Sequence, residues 1–439
     1  MRRWIAVGKT AHDAEIVRLA FPALGALAAD PLVSLVDTAF VGRLGAQPLA
    51  SLGLATAVFG VAFALFIFLA YGTTPLVAGA VGRGDERLAG RLTAGAVAVG
   101  LAIGVAALIV VEAAAVPLLT LVGAGRDTLG DAETYLRIRA LALPALMVIN
   151  VGHGAYRGFQ DTKTPLFVTV GLNLVNLVLD PILIFGAGMG IAGAAIATVI
   201  AQWLGALYFG FLLFSRHRAR LQVGFRGLAV RDLRPLAGAG AALIVRTGAL
   251  LATLALATAV AARIGIVEVA AHQVAVNLWI FLALVVDALA IAGQAMIGRH
   301  LAAGDTPLAH LIATRLLYLG LLGGVGLALV LAVAAPFLPR VFTDDAATLA
   351  AIGTVYPFVV LMQPINAVVF VWDGLAIGAR SFDYLAGSMV VSAAAASAVL
   401  LLVRPLGWPL AGVWLGIMVL MLTRAVTLAR WHARGPLAI

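Results

Sequence analysis

The sequence contains no cysteine, and only 11% of its 439 residues are charged. The absence of cysteine excludes disulfide bonds and thiolate metal sites. A soluble domain has about 25% charged and about 45–50% apolar residues, whereas 63% of this chain is hydrophobic and its mean hydropathy is +1.08. The composition therefore indicates a polytopic membrane protein.

Several functional motifs are also missing. The sequence has no nucleotide-binding Gly-Lys-Ser/Thr loop and no His/Cys/Asp cluster with metalloenzyme spacing, so we expect no enzyme activity, no metal site and no cofactor beyond a transported ion. The pI near 10.6 does not indicate a nucleic-acid partner, because the basic residues separate hydrophobic runs. The amino terminus lacks an apolar core followed by a small-residue cleavage site, and we predict no signal peptide.

Twelve hydrophobic runs predict an all-α protein with twelve transmembrane helices. They cover residues 16–42, 50–80, 92–122, 130–156, 165–186, 190–214, 236–262, 268–297, 308–336, 347–377, 384–404 and 408–429. An even number of spans places both termini on one side, where most loop Lys and Arg residues lie. The loops of the opposite side hold only Arg43, Arg126, Arg263, Arg340 and Arg404. The positive-inside rule then places both termini in the cytoplasm. We expect the protein to lie in the inner (plasma) membrane.

The two halves of the chain are related by a constant shift in residue number. This shift, +220, superimposes Pro144 on Pro364 and Gly154 on Gly374, among other glycines. We therefore predict two pseudo-symmetric six-helix bundles, an amino-terminal lobe at 1–214 and a carboxy-terminal lobe at 236–439, joined by a basic cytoplasmic linker at 215–235. Two such bundles around a central cavity are typical of an alternating-access transporter.

Polar residues interrupt the fifth hydrophobic run. Asn176 and Asp180 are four residues apart and share one helix face, with Asn173 one turn earlier. A charged side chain at mid-membrane costs about 2.5–3.5 kcal/mol on insertion scales, so Asp180 should face a cavity, a partner or a proton. Burial favours the neutral form of a carboxyl group, which suits Asp180 to proton exchange near neutral pH.

This polar feature belongs to one half only. At the +220 positions, Asp37 corresponds to Ala257, Asn176 to Ala396 and Asp180 to Leu400. From the direction of each span we infer that a group of residues shares the outer half of the membrane and can form one cluster: Asp37, Tyr135, Asn176, Asp180 and Thr198. Simpler roles stay open, since Asp180 and Asn176 can lock two helices together, Asp37 and Tyr135 can be interfacial, and Thr198 can be a packing residue.

Seven segments of the first half and two of the second resemble those of the MATE (multidrug and toxic compound extrusion) transporters, within them the DinF-like branch. They are PLVSLVDTAFVGRLG at 31–45, LASLG at 49–53, GRGD at 82–85, YLRIRALALP at 135–144, RGFQDTKTP at 157–165, NLVLDP at 176–181, GIAGAAIAT at 190–198, AAHQ at 270–273 and DALAIAGQ at 287–294. The resemblance covers essentially the whole chain. It implies a twelve-helix, two-lobe fold and cation-driven export of bulky organic substrates.

The resemblance also implies roles for single residues. The residues matching Asp37, Asn176, Asp180 and Thr198 form the family's cation or proton site, and Tyr135 matches a nearby polar member. Pro22 matches a proline where the first helix is proposed to bend, although a static kink is the simpler role. The sequence departs from many relatives at 378–381, where it reads Gly-Ala-Arg-Ser instead of Gly-Ala-Gly-Asp.

Other polar residues have weaker indications. Five of them can line a second-lobe cavity or bridge helices: Arg246, Gln273, Asn277, Asp287 and Gln294. Asp373, near the cytoplasmic end of span ten, is explained by capping or loop contacts, and Asp30, before Pro31, is ambiguous.

We therefore expect a monomeric antiporter that exports amphipathic or cationic small molecules in exchange for H⁺ or Na⁺. Carboxylate, amide and hydroxyl oxygens suit either ion. The alternatives are a flippase for lipid-linked precursors, which would favour a strongly cationic cavity, and a non-transporting membrane scaffold, in which no property would depend on the Asp37 or Asp180 carboxyl groups.

Overall fold

A computed structural model describes residues 11–435, and within that range the backbone forms helices and loops and no strand. Sixteen α-helices occur in this range: α1 (Ala11–Gly42), α2 (Ala46–Phe66), α3 (Phe68–Gly82), α4 (Glu86–Leu121), α5 (Arg126–Ala140), α6 (Leu143–Gly158), α7 (Lys163–Pro181), α8 (Gly190–Phe211), α9 (Arg218–Leu221), α10 (Val230–Ile264), α11 (Ile266–Ala302), α12 (Thr306–Ala334), α13 (Ala346–Leu361), α14 (Gln363–Gly378), α15 (Phe382–Val403) and α16 (Leu410–Ala433). One π-helical turn extends α7 over Ile182–Gly186 and another extends α8 over Leu212–Arg216.

Every predicted span corresponds to a helix or a helix pair, which confirms the twelve-helix fold class. In the described range, nine helices are long and apolar enough to cross a bilayer alone. Two further spans are bent pairs, α5 with α6 at 49° and α13 with α14 at 50°. The remaining predicted span, 50–80, is formed by α2 and α3, which meet at Ile67.

Prolines explain two of the bends. Pro144 and Pro364 are the second residues of α6 and α14. Proline has no N–H and fits the first turn of a helix but not its interior. The two prolines are equivalent under the internal repeat, so the halves share the same break.

The chain forms two compact units. The N-unit contains Phe21–Gly240, and the C-unit contains the chain from Ala241 onward with the described residues up to Ala20. The start of α1 thus packs with the C-unit, while the segment predicted as a linker packs with the N-unit. The predicted lobes at 1–214 and 236–439, with a cytoplasmic linker between them, stay a prediction.

The internal repeat extends to individual helix crossings. A Cβ atom on Gly154 of α6 would lie 2.6 Å from the carbonyl oxygen of Ala70 in α3. A Cβ atom on Gly374 of α14 would lie 2.4 Å from the carbonyl oxygen of Ala290 in α11. Ala70 and Ala290 are related by the same shift as the two glycines, so each unit uses glycine for the same close backbone approach, as is common between membrane helices.

Candidate functional site: a carboxyl pair in the N-unit

The α7 helix directs its polar residues to one buried face. Asn173, Asn176 and Asp180 are all buried, and Asp180 has no exposed surface. Their spacing of three and four residues places them on the same side of the helix. Leu174 and Val178, between them, are exposed. The face carrying Asp180 is therefore directed into the N-unit and the apolar residues are directed outward.

Asn176 links Asp180 to α8. Its Nδ2 atom donates to Oδ1 of Asp180 at 3.3 Å and to Oγ1 of Thr198 at 3.3 Å. The Thr198 hydroxyl in turn donates to the carbonyl oxygen of Ala194 at 2.9 Å. The amide thus holds one oxygen of Asp180 and leaves the other available.

Asp37 on α1 meets that available side of Asp180. The two carboxyl groups interact directly at hydrogen-bonding range. Asp37 Oδ1 and Asp180 Oδ2 are both buried, and neither accepts a hydrogen bond from an N–H or O–H group in the described residues. A hydrogen bond between two carboxyl groups requires a proton on one of them, and two bare carboxylates in contact repel each other. The geometry therefore suits a pair that holds one proton or one small cation.

Tyr135 lies beside this pair. Its side chain on α5 is 5% exposed, and its hydroxyl is within electrostatic range of both Asp37 and Asp180. The structure therefore brings together all five residues that the sequence predicted for one cluster. Their role in coupling stays a prediction.

Two charged residues of this region were missed as members of the cluster. The Asp30 carboxylate on α1 accepts a hydrogen bond from Asn173 Nδ2 at 2.9 Å. The Arg139 guanidinium is within electrostatic range of Asp30 and Asp37 and donates to Gln202 Oε1 at 2.8 Å. Two spacings could have indicated them: Arg139 follows Tyr135 by one helical turn, and Asp30 precedes Asp37 by two.

The C-unit residues predicted with less support are dispersed along its helices. Gln273 donates to Asn277 at 3.2 Å on an exposed side of α11. Gln294 is buried, and its Oε1 has no hydrogen-bond partner in the described residues. Asp287 is half-buried on α11, and Arg246 on α10 donates to Asp373.

Asp373 corrects the interpretation of that residue as a helix cap or loop contact. It is 4% exposed and accepts from both Arg246 of α10 and Arg424 of α16. The sequence could not show this because the three residues lie on separate helices. The cluster is an ion-paired crossing of three C-unit helices.

Pro22 lies inside α1, two residues after the boundary between the compact units.

Among the described residues, no group of three or more His, Cys, Asp or Glu side chains could hold a metal ion.

A multi-pass helical protein with an internal repeat and a buried carboxyl pair in one repeat has the architecture of a secondary transporter. The MatE family model matches residues 22–182 and again 243–403. The chain belongs to the MATE family.

Known relatives agree with this assignment. The chain is 38% identical over 435 residues to Protein DETOXIFICATION 44, chloroplastic, of Arabidopsis thaliana, covering 94% of this chain and 80% of the relative. It is 29% identical over 435 residues to DNA damage-inducible protein F of Escherichia coli (strain K12), covering 96% and 92%. A crystal structure of MATE in the straight conformation matches with a TM-score of 0.86 at 22% identity, covering 96% and 95%, and shows the shared fold.

Membership in this family confirms the predicted resemblance and the predicted class. The chain is a multi-pass membrane transporter and not an enzyme, and small organic molecules are the substrates of its family.

Proposed function

We propose that this transporter is an antiporter that exports amphipathic, cationic organic compounds in exchange for inward movement of H⁺ or Na⁺. The contact between Asp37 and Asp180 supports the proposal most directly. Ionisable residues inside membrane spans mark ion pathways and proton relays. No arginine or lysine in the described residues hydrogen-bonds either carboxyl group, so an exchangeable cation can neutralise the pair.

The position of Asp37 supplies a coupling mechanism. Cation uptake from outside removes a negative charge from the pair, and cation release restores it. Asp37 is on α1, so the change in charge acts on a helix whose first turns pack with the C-unit. Coupling requires that substrate bind the two charge states of the site with different affinity. In this scheme α1 bends at Pro22, and the membrane potential contributes about 2.3 kcal/mol per charge per 100 mV.

The basic loops support an orientation with both termini in the cytoplasm and a location in the inner (plasma) membrane. Each unit contains its own repeat of the family model, which supports a monomer as the functional form. The N-unit contains the Asp37–Asp180 pair and also Asp30, which accepts a hydrogen bond from Asn173. These acidic groups favour cationic substrates.

Dye transport into inverted membrane vesicles tests this function. Vesicles with the wild-type chain, Asp37→Asn or Asp180→Asn receive an imposed pH or sodium gradient, and uptake of a cationic dye is followed. Because the amide cannot carry the exchangeable charge, we expect each variant to lose at least tenfold of the gradient-driven rate. Full-rate transport in both variants would overturn the mechanism.

Asp131→Asn is the matched control. Asp131 is half-buried near the start of α5 in the same unit, where its Oδ2 accepts from Gln47 at 3.4 Å. We expect wild-type transport from this variant. The gradient that drives the wild-type chain identifies the coupling ion.

A further inference from the structure

Arg137 and Arg139 lie two residues apart on α5 and have different surroundings. Arg137 donates to Glu133 at 2.9 Å and to Glu112 at 2.7 Å, and it is therefore fully ion-paired. Arg139 donates to the neutral amide oxygen of Gln202 at 2.8 Å. Its guanidinium carbon also lies 4.3 Å from the ring centroid of Phe59. One arginine of the helix has two carboxylate partners, and the other is held by an amide, an aromatic ring and the Tyr135 hydroxyl.

The groups around Arg139 come from four helices. From α1, Asp30 and Asp37 are in electrostatic range, and from α5 itself, Tyr135 is adjacent. The other two helices contribute uncharged groups, Phe59 from α2 and Gln202 from α8. On α7, Asp180 is in contact with Asp37. His153 of α6 shares a hydrogen bond with Thr169 of α7, one turn before Asn173.

This arrangement differs from the usual treatment of a guanidinium in a membrane span, where it pairs with a carboxylate. Asp37 is within electrostatic range of Arg139, yet its carboxyl group is engaged with Asp180. A carboxyl pair that shares a proton carries one negative charge fewer than the fully ionised pair. It therefore attracts a nearby cation less strongly. Loss of that proton would leave two carboxylates in contact, and their repulsion would be relieved by a cation at close range.

We propose that Arg139 is a tethered counter-cation for the Asp37–Asp180 pair. When the shared proton leaves to water, the guanidinium turns from Gln202 to Asp37; when a proton returns, the O–H bond forms again and the guanidinium returns to Gln202. Arg139 is a positioning residue in this cycle, because it neither binds nor transfers the proton. Its charge sets the pH at which the pair releases its proton. The proposal rests on the proposed function only in that the pair exchanges a proton.

A titration of the purified full-length protein tests the role of Arg139 without a substrate. The proton of the pair is isolated as the difference between each protein and the same protein carrying Asp37→Asn and Asp180→Asn. For Arg139→Gln we expect the midpoint to rise by about one pH unit, because the lost positive charge no longer favours the ionised pair. Arg139→Lys keeps the charge and should restore most of the wild-type midpoint.

Arg137→Gln is the matched control, since it removes the same charge from a residue already neutralised by two glutamates. Its midpoint should stay within about 0.2 pH units of wild type. Gln202→Leu should shift the midpoint in the opposite direction. Without the Gln202 oxygen as hydrogen-bond acceptor, Arg139 pairs more readily with Asp37, and this lowers the midpoint of the carboxyl pair. If Arg139→Gln fails to fold, Gln202→Leu alone decides the question.

An unchanged midpoint in both Arg139→Gln and Gln202→Leu, or equal shifts in Arg139→Gln and Arg137→Gln, would overturn this role. The outcome is separate from that of the vesicle experiment. Full-rate gradient-driven transport in both Asp37→Asn and Asp180→Asn would reject the proposed function, whereas the titration reports on Arg139 whether or not the pair drives transport.

Discussion

Asp13 on α1 and Arg315 on α12 form a two-pronged ion pair. Arg315 donates through Nε to Oδ1 of Asp13 at 2.7 Å and through a terminal nitrogen to Oδ2 at 2.6 Å. Their side chains are 17% and 13% exposed, and bidentate pairs of this kind are the strongest class of protein hydrogen bonds. The pair fastens the first turn of α1 within the C-unit. The same helix carries Asp37 further along the chain.

Arg315→Gln should release the start of α1, because the amide cannot make the two charged hydrogen bonds. We expect amide hydrogen exchange over residues 12–20 to accelerate by roughly tenfold or more, measured by mass spectrometry on the purified protein. Glu15→Gln is the control, because the contacts of Glu15 with Arg18 and Arg299 are 3.8 Å long and contribute little. Equal exchange in the two variants would contradict an anchoring role for Asp13–Arg315.

The duplicated glycine crossings predict a duplicated mutational effect. Gly154→Ala and Gly374→Ala each place a methyl group within 2.6 Å of a backbone oxygen, so a helix must move and the protein should lose about 1–3 kcal/mol of stability. Thermal unfolding in detergent measures the loss. Gly387→Ala on α15 is the control, because no atom lies within 4 Å of its added Cβ; a stability equal to or slightly above wild type is expected there. A destabilised control with stable Gly154→Ala and Gly374→Ala would contradict the packing argument.

Much of the fold could be predicted because a bilayer imposes a length on every apolar run. The limits of the spans follow from hydrophobicity, and the internal repeat follows from glycine and proline positions such as Gly154 and Gly374. The break at Ile67 could not be predicted, since no proline lies there. The packing of residues 11–20 with the C-unit also depends on long-range contacts, such as Asp13 with Arg315, that carry no local signal.

The sequence predicts how deep each residue of the candidate site lies in the membrane, but not how each helix is rotated about its own axis. Span direction places Asp37, Tyr135 and Asp180 at one level of the membrane, and this was enough to expect a cluster. Whether a side chain at that level points to a neighbour depends on the packing of small residues around the whole helix. Arg139 was therefore missed, and Asp373 was assigned to a cap or loop contact, because both residues have partners on other helices.

His217, just beyond the α8 span, predicts a pH dependence of stability. Its Nδ1 lies 2.9 Å from the Tyr156 hydroxyl, and partial burial together with the charges of Arg220 and Arg216 lowers the pKa of His217 below its usual value of 6.5. The unfolded chain therefore binds more protons at this site than the folded chain. The contribution of His217 is complete above pH 6.5 and is lost as the pH falls through the folded pKa.

We expect the melting temperature of the wild-type protein to fall more between pH 7.5 and 5.5 than that of His217→Gln, which cannot titrate. Arg220→Gln removes one repelling charge and should give an intermediate slope. Thermal scans at several pH values measure the difference. Identical slopes in the wild type and His217→Gln would contradict the assignment.

Asp373 is the shared partner of two buried arginines, so its loss should be more harmful than the loss of either arginine alone. Asp373→Asn leaves Arg246 and Arg424 close together without the carboxylate between them, and removing one partner of a buried ion pair costs about 3–5 kcal/mol. Arg424→Met should cost less, because Arg246 keeps Asp373 and the thioether fills much of the space. Thermal unfolding of both variants in detergent shows which of the two loses more stability. Asp383→Asn, at the exposed start of α15, is the control for removing a carboxylate. If Arg424→Met is the more destabilised variant, the stabilising contribution of this cluster comes from arginine packing, including the contact of Arg424 with Phe370, and not from charge neutralisation by Asp373.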